Sequence, residues 1–419
     1  MLLKPSYKPP KIGQRIPTNN INNIATRYLA GGGGGNTGGG NTQTFTTIAN
    51  APVEDFNFVR VHFKNIQTTS FGVASLIVAP TNSNTNKIVP SVGNTLTNDG
   101  GLTGWQAGTF NNGSATGTVP AKGATARDGG ILVSDWIPLQ SVLRSDGNKM
   151  PFIMARARFD TSVNSNSVGY YSISANSSDP ATNYYQEAFF QSGDYTTNPS
   201  TLTSAGTSTI SPFFAFEFLS AKQVIKIAGL GNSITEGLGA TNDRNSHINR
   251  VEMLALAAGY PINMINLGSA GAKTDEYYGY GKSCLTSVKP AIALASPYSP
   301  NDKSTPVQAD FDIMYRRWVD FANFCHSLGI LPVAVFLAPN NNYDAATDNL
   351  LKAFMNRIKA GNYAVIDLTT VTADTATPRR YKTGLNFDNL HPNNTGYDVM
   401  AAALFAELVS LIRKNYLLA

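Results

Sequence analysis

Ser233 lies in Gly-Leu-Gly-Asn-Ser-Ile-Thr-Glu-Gly (229–237), and Asp388 and His391 lie in Asp-Asn-Leu-His-Pro (388–392). A serine hydroxyl is a poor nucleophile at neutral pH. It needs an imidazole to take its proton and a carboxylate to orient that imidazole. A serine on a tight turn after an apolar strand, with an Asp and a His three apart elsewhere, supplies the three groups that acyl transfer requires. The chain has 4 histidines, so the alternatives are few. His62 falls in a predicted strand and His247 in a polar loop or helix start, and both read as structural. Cys325 and His326 are adjacent, and helix neighbours point in different directions, so they do not read as a catalytic pair. Asp367, at the end of a strand, is a competing carboxylate. No His/Cys/Asp cluster has ligand spacing, and no glycine loop precedes a Lys-Ser/Thr pair. The reading therefore calls for no metal and no cofactor.

These residues need elements to hold them. From about residue 222 apolar strands alternate with helix-period segments. Strands are predicted at 223–228, ending at the serine turn, and at 262–267, 291–296, 331–337 and 363–368. Val307, Phe311, Met314, Trp318, Phe321, Cys325 and Leu328 recur every three or four residues, which predicts a long amphipathic helix. Further helices are predicted at 345–359 and 394–414. Such alternation implies a parallel sheet covered on both faces. In such a sheet ligands gather beyond the carboxyl ends of the strands, where Ser233, Asn266-Leu267-Gly268 and Ser299-Pro300-Asn301-Asp302 all fall.

On these blocks the sequence resembles the SGNH hydrolases, the GDSL-type esterases and lipases. Gly231-Asn232-Ser233 corresponds to the Gly-Asp-Ser block and Gly268 to the glycine block. Ser299-Pro300-Asn301-Asp302 corresponds to Gly-x-Asn-Asp, and Asp388 to Pro392 to Asp-x-x-His-Pro. The resemblance covers about residues 222–415 and implies a flavodoxin-like doubly wound sheet. It also implies Ser233 as nucleophile, His391 as general base and acid, and Asp388 as the group that holds the imidazole tautomer. The oxyanion hole would be the N–H of Ser233, the N–H of Gly268 and the side-chain amide of Asn301. Two positions depart from the pattern: Asn232 stands for the usual Asp and Ser299 for the usual Gly. Asn266 reads as either structural or adjacent to the oxyanion hole. Tyr277, Tyr278 and Tyr280 either line a cleft or pack.

From about 45 to 220 the segments are short and β-like. Strands are expected at 56–63, 71–79, 130–139, 152–159, 168–174 and 213–218, with Gly-, Asn-, Ser- and Thr-rich spacers. That spacing predicts a β-sandwich or jelly roll. Part of it, Val133 to Leu139, is similar to sandwich modules that precede some GDSL catalytic domains. Trp105, Trp136, Tyr170-Tyr171 and Tyr184-Tyr185 either stack on sugar rings or pack. Three segments result: a basic arm with a Gly-rich linker (1–44), a β-sandwich (45–220) and a catalytic domain (221–419). The boundary near 220 leads to the expectation that a chain starting near Phe218 folds alone.

Hydrophobic residues are 42% of the chain, enough for a sizeable core, and charged residues only 14%, which leaves a surface built from Asn, Thr, Ser and Gly. The net charge of +5 resides in Lys4, Lys8, Lys11, Arg15 and Arg27, since the remaining 27 basic residues equal the 27 acidic ones. A nucleic-acid enzyme would carry its positive charge on the folded body, so no nucleic-acid partner is expected. No run of about 18 apolar residues marks a membrane span, and no apolar stretch follows Met1-Leu2-Leu3 to read as a secretory signal. The 2 cysteines form no disulfide framework. Arm, glycine tract, sandwich and esterase domain together suggest a virion component such as a tail spike or fibre. It would remove O-acetyl groups from a surface polysaccharide, and residues 1–44 would serve self-association or attachment to a larger assembly. Deleting them is expected to leave small-ester turnover unchanged. The alternative is a catalytically weak SGNH-fold carbohydrate-binding or structural virion protein.

Overall fold

A computed structural model describes residues 22–28, 34–37, 43–50, 55–65, 67–81, 105–122, 130–139, 152–160, 168–172, 177–179, 184–197, 206–207, 210–240, 245–374 and 379–415. Its N-terminal half is a sandwich of two antiparallel sheets. One sheet contains β1 (Asn22–Tyr28), β3 (Phe56–Asn65) and the first half of β7 (Phe213–Gly231). The other is built on β2 (Gln43–Asn50), β4 (Phe71–Thr81), β5 (Phe152–Asp160) and β6 (Tyr184–Ser192), in the order β6-β2-β5-β4. Alternate side chains point inward from each strand. Val59, Val61 and Phe63 of β3 and Phe213, Phe216 and Phe218 of β7 meet Phe45, Val73, Val78 and Phe159 of the opposite sheet. Phe63 and Phe159 close the two layers edge to face, with ring centroids 5.9 Å apart.

Strand β7 does not end with the sandwich. Residues 213–220 pair antiparallel with β3, and 215–224 with β1. From Ile225 the same strand pairs parallel with β8 (Ile262–Gly268), and from Ile227 with β9 (Ile292–Ala295). Strands β10 (Leu331–Phe336) and β11 (Ala364–Asp367) complete a parallel sheet in the order β8-β7-β9-β10-β11. This is the doubly wound order in which the first strand lies between the second and third. Along β7, Ala228 and Leu230 face one helical layer while Ile225 and Ile227 face the other.

Helix α1 (Ser233–Glu236) follows β7 directly. Helices α2 (His247–Ala257) and α7 (Asn394–Asn415) cover one face of the parallel sheet. Helices α3 (Thr274–Val288), α4 (Gln308–Ser327) and α5 (Ala345–Ala360) cover the other. A short turn, α6 (Thr369–Thr372), follows β11. The predicted stripe on α4 is the buried one: Phe311, Met314, Trp318, Phe321 and Cys325. Tyr277, Tyr278 and Tyr280 are core residues of α3 whose hydroxyls donate to the carbonyls of Ser296, Ser296 and Leu267. Arg60 lies over the ring of Trp136 and Arg156 over that of Trp105. The side chains of the paired tyrosines at 170–171 and 184–185 lie outside the described residues.

One sequence expectation needs correction. Residues 1–44 are not an arm and linker throughout. Asn22–Tyr28 is strand β1, and Gly34–Thr37, inside the glycine tract, pairs with Val168–Ser172. A glycine run carries no periodicity to read, yet glycine pairs when a partner strand supplies the register. The closing helix α7 falls where the sequence predicts it, over 394–414. By length and composition Asn394–Arg413 is apolar enough to cross a membrane. Here its Tyr397, Met400, Leu404, Leu408 and Ile412 are buried against the parallel sheet.

A buried charged cluster ties the two halves together. Glu217 on β7 accepts from Arg60 Nε at 2.6 Å and from Lys226 Nζ at 3.4 Å, and lies 3.0 Å from His62 Nε2. His62 Nδ1 is 2.9 Å from Ser287 Oγ on α3. Burial alone would raise the Glu217 pKa, but His62, Lys226 and Arg60 together hold it well below the usual carboxylate range.

Candidate active site

Ser233 stands where β7 turns into α1. Asn232 is the N-cap: its backbone is extended, and its Oδ1 accepts from the Ile234 N–H at 3.0 Å. This satisfies one of the helix's orphan donors and leaves Ser233 at the first helical position with its own N–H unpaired among the described residues. The hydroxyl is nearly buried, at 5% residue exposure. Ser233 Oγ lies 2.9 Å from His391 Nε2, and His391 Nδ1 lies 2.8 Å from Asp388 Oδ2.

The Asp388–His391 loop is held by the same carboxylate. Asp388 Oδ1 accepts from the backbone N–H groups of Leu390 and His391 at 2.7 and 2.6 Å, while Oδ2 takes the imidazole. One oxygen thus fixes the turn and the other fixes the ring. Burial raises the Asp388 pKa, but the hydrogen bonds from the His391 ring and from the His391 and Leu390 backbones outweigh it and hold the pKa below its ordinary value. The group is therefore an anion next to Nδ1, the arrangement that keeps the proton on Nδ1 and leaves Nε2 to face the serine.

The glycine block divides its labour. Gly268 closes β8, and a Cβ there would lie 2.2 Å from the Glu236 nitrogen and 2.5 Å from the Thr235 carbonyl carbon. Its glycine identity thus lets the strand end press against α1. Its N–H is engaged, donating to Asn266 Oδ1 at 2.9 Å. Ser269 N–H goes to the Gly231 carbonyl, Ala270 N–H to the Glu236 carboxylate and Ala272 N–H to the Ser269 carbonyl. Among the described residues the Gly271 N–H has no acceptor. Gly271 has φ +72°, with open space where a Cβ would stand, a conformation that favours glycine. The sequence expectation named Gly268, whose N–H is held by Asn266, and the block offers a second glycine N–H at Gly271. The signal for it is the pair of glycines in Gly-Ser-Ala-Gly, which cannot be ranked without knowing where each N–H points.

Asn301 lies on the loop after β9. Its Nδ2 donates to the Ala272 carbonyl at 3.1 Å, which leaves its second amide hydrogen without a partner among the described residues. The neighbouring Asp302 anchors that loop. It accepts from the Thr274 N–H and hydroxyl at 3.1 and 2.9 Å and from Arg317 at 2.7 Å, and burial raises its pKa. Asn266 is an organiser: besides holding Gly268, its Nδ2 donates to the Thr235 carbonyl at 3.0 Å and to Ser246 Oγ at 3.1 Å.

The remaining residues are placed elsewhere. Asp367 bonds Thr369 and Lys359. His62 belongs to the Glu217 cluster. His247 opens α2 fully buried, its ring stacked 6.1 Å from that of Tyr397 and both ring nitrogens without a hydrogen-bond partner. Burial pushes the His326 pKa down and the Cys325 thiol well up. Beside the triad, Phe387 is 68% exposed and Leu238 39%, so an apolar rim borders the polar centre. Among the described residues no group of three or more His, Cys, Asp or Glu side chains is placed to hold a metal ion.

No family model matches the chain, and no curated protein matches it. Among solved structures it is similar to the psychrotrophic esterase EstA from Pseudoalteromonas sp., at 14% identity over 45% of this chain and 99% of that one, with TM-score 0.38. It is similar to a GDSL-like lipase from Bacteroides thetaiotaomicron, at 14% identity over 45% and 89%, with TM-score 0.35. It is also similar to a family 3 carbohydrate esterase from Clostridium thermocellum, at 15% identity over 45% and 98%, with TM-score 0.34. The likeness is to GDSL/SGNH lipolytic proteins and esterases, at low identity and over part of the chain.

Proposed function

We propose that this chain is a serine ester hydrolase of the SGNH type. The observation that carries the reading is the continuous run from Ser233 Oγ through His391 to Asp388, with steps of 2.9 and 2.8 Å. His391 Nε2 takes the hydroxyl proton as Oγ attacks the ester carbonyl, then returns it to the leaving alkoxide. Water repeats the cycle in reverse to free the acid. Asp388 stays ionised and steadies the imidazolium. The developing oxyanion is met by the Ser233 N–H, the free hydrogen of the Asn301 amide and, in the glycine block, the Gly271 N–H. Fixed donors of this kind are each worth about 3 kcal/mol in the transition state.

The substrate in this reading is an O-acetyl group on a polysaccharide. A surface poor in charge and the exposed Phe387 beside the triad support it, since an aromatic face suits the apolar side of a sugar ring. The basic N-terminal residues support attachment to a larger assembly, such as a virion acting on a host surface glycan. The test is acetate release from a panel of acetylated polysaccharides and from a small acetyl ester, comparing wild type with Ser233→Ala. Loss of turnover by several orders of magnitude in a folded variant is expected, because the members of a triad act as a unit. Near wild-type turnover in the variant would sink the assignment. An inactive wild type that still binds the polysaccharide would support the binding-protein alternative.

A further inference from the structure

The two departures from the SGNH pattern touch each other. Asn232 Nδ2 donates to Ser299 Oγ at 3.0 Å. The Ser299 hydroxyl donates in turn to the Ala272 carbonyl at 2.9 Å, and its oxygen also receives the Asn301 N–H at 3.3 Å. Both side chains are buried, at 1% exposure each. A hydroxyl has one proton and two acceptor sites, and all three are used here. The Ala272 carbonyl is the same atom that receives the Asn301 side-chain amide. Asn232 caps the helix that carries Ser233, so the network runs from the nucleophile's helix to both ends of Asn301.

We infer that Asn232 and Ser299 are a matched pair of positioning residues that fix the Asn301 amide relative to Ser233. The inference rests on the esterase reading and deepens it. An Asp at 232 accepts but cannot donate. It would claim the single Ser299 proton and take it from the Ala272 carbonyl, so that the Asn301 amide no longer shares that carbonyl with the hydroxyl. A Gly at 299 would strand the buried Asn232 amide and the half-buried Asn301 N–H. Each residue therefore makes sense only with the other: the amide donor at 232 needs the hydroxyl acceptor at 299.

The experiment is a double-mutant cycle with Asn232→Asp, Ser299→Gly and the double variant, assayed on a small acetyl ester. Each single change should lower kcat roughly tenfold or more, a fraction of the loss from deleting an oxyanion donor, with KM nearly unchanged. The double variant should lose much less than the product of the single losses, because Asn232→Asp has no hydroxyl left to disturb. Multiplicative losses would overturn the pairing, as would losses confined to KM or to melting temperature. Ser299→Ala, which deletes only the hydroxyl, guards against misfolding of the glycine variant. It should also speed solvent exchange of the Asn301 side-chain amide, read by NMR, and unchanged exchange would equally overturn the inference. Failure of the esterase reading shows separately, as absence of turnover in the wild type, and the exchange measurement then decides the pairing alone.

Discussion

At the scale of residues, the folded protein sets two histidines to opposite uses. His391 faces a serine and a carboxylate, whereas His247 is sealed against Tyr397 with neither nitrogen bonded. Burial first, and the nearby Arg250 second, push the His247 imidazole down to about 3. In the unfolded chain the ring titrates near its ordinary 6.5. Between those values the unfolded state holds one more proton than the folded state, so stability falls as pH drops, by about 1.4 kcal/mol per pH unit. His247→Phe keeps a ring on Tyr397 and removes the proton. Urea unfolding should show a wild-type stability slope from about pH 6.5 to 5 that is shallower in the variant by that amount. Equal slopes would place the proton uptake elsewhere. The sequence singled out Ser233, Asp388 and His391 by identity and order, and the fold brings the three side chains within hydrogen-bonding reach. The sequence could not reveal that the Asn266 side chain takes the Gly268 N–H, or that Asn232 and Ser299 meet. The first depends on which way a neighbouring side chain turns, and the second joins stretches far apart in the chain.

At the scale of elements, the α/β half was legible because 3.6-residue periodicity and short apolar runs are local. The full length of β7 was not. Ala221-Lys222-Gln223 interrupts its apolar pattern and reads as a boundary, yet the strand runs on because its two halves have different partners. A chain beginning at Phe218 would begin inside this strand. It would lack Glu217 and leave Lys226, 1% exposed, without its counter-charge. It would also bare Phe218 and Val224, which the sandwich covers. A buried charge stripped of its partner costs about 3–5 kcal/mol. Such a truncated chain is expected to aggregate or to lack cooperative melting in calorimetry, and a sharp transition near the full-length temperature would show that the α/β half stands alone.

At the scale of the whole molecule, the N-terminal segment does two jobs that composition blurred into one. The charge of Lys4, Lys8, Lys11 and Arg15 precedes β1, while β1 itself covers one edge of β7. Deleting residues 1–21 should leave small-ester turnover and melting temperature nearly unchanged. Deleting 1–44 removes β1 and opens an edge along residues 215–224, a template for pairing with other chains. That deletion should lower the melting temperature and raise light scattering. If both deletions behaved alike, β1 would contribute nothing to the sheet.

The same pairing governs how the molecule would bear a pull. Asn22 lies opposite Val224 and Tyr28 opposite Ala215, so the chain enters β1 at the end of the pairing that lies toward Ser233. A tether pulling on this strand against the α/β half loads an antiparallel pair from one end, like a zipper, and its rungs part singly. They part from Val224 toward Ala215, away from the nucleophile. Under tension β1 therefore acts as a mechanical fuse, yielding before load reaches the turn that holds Ser233.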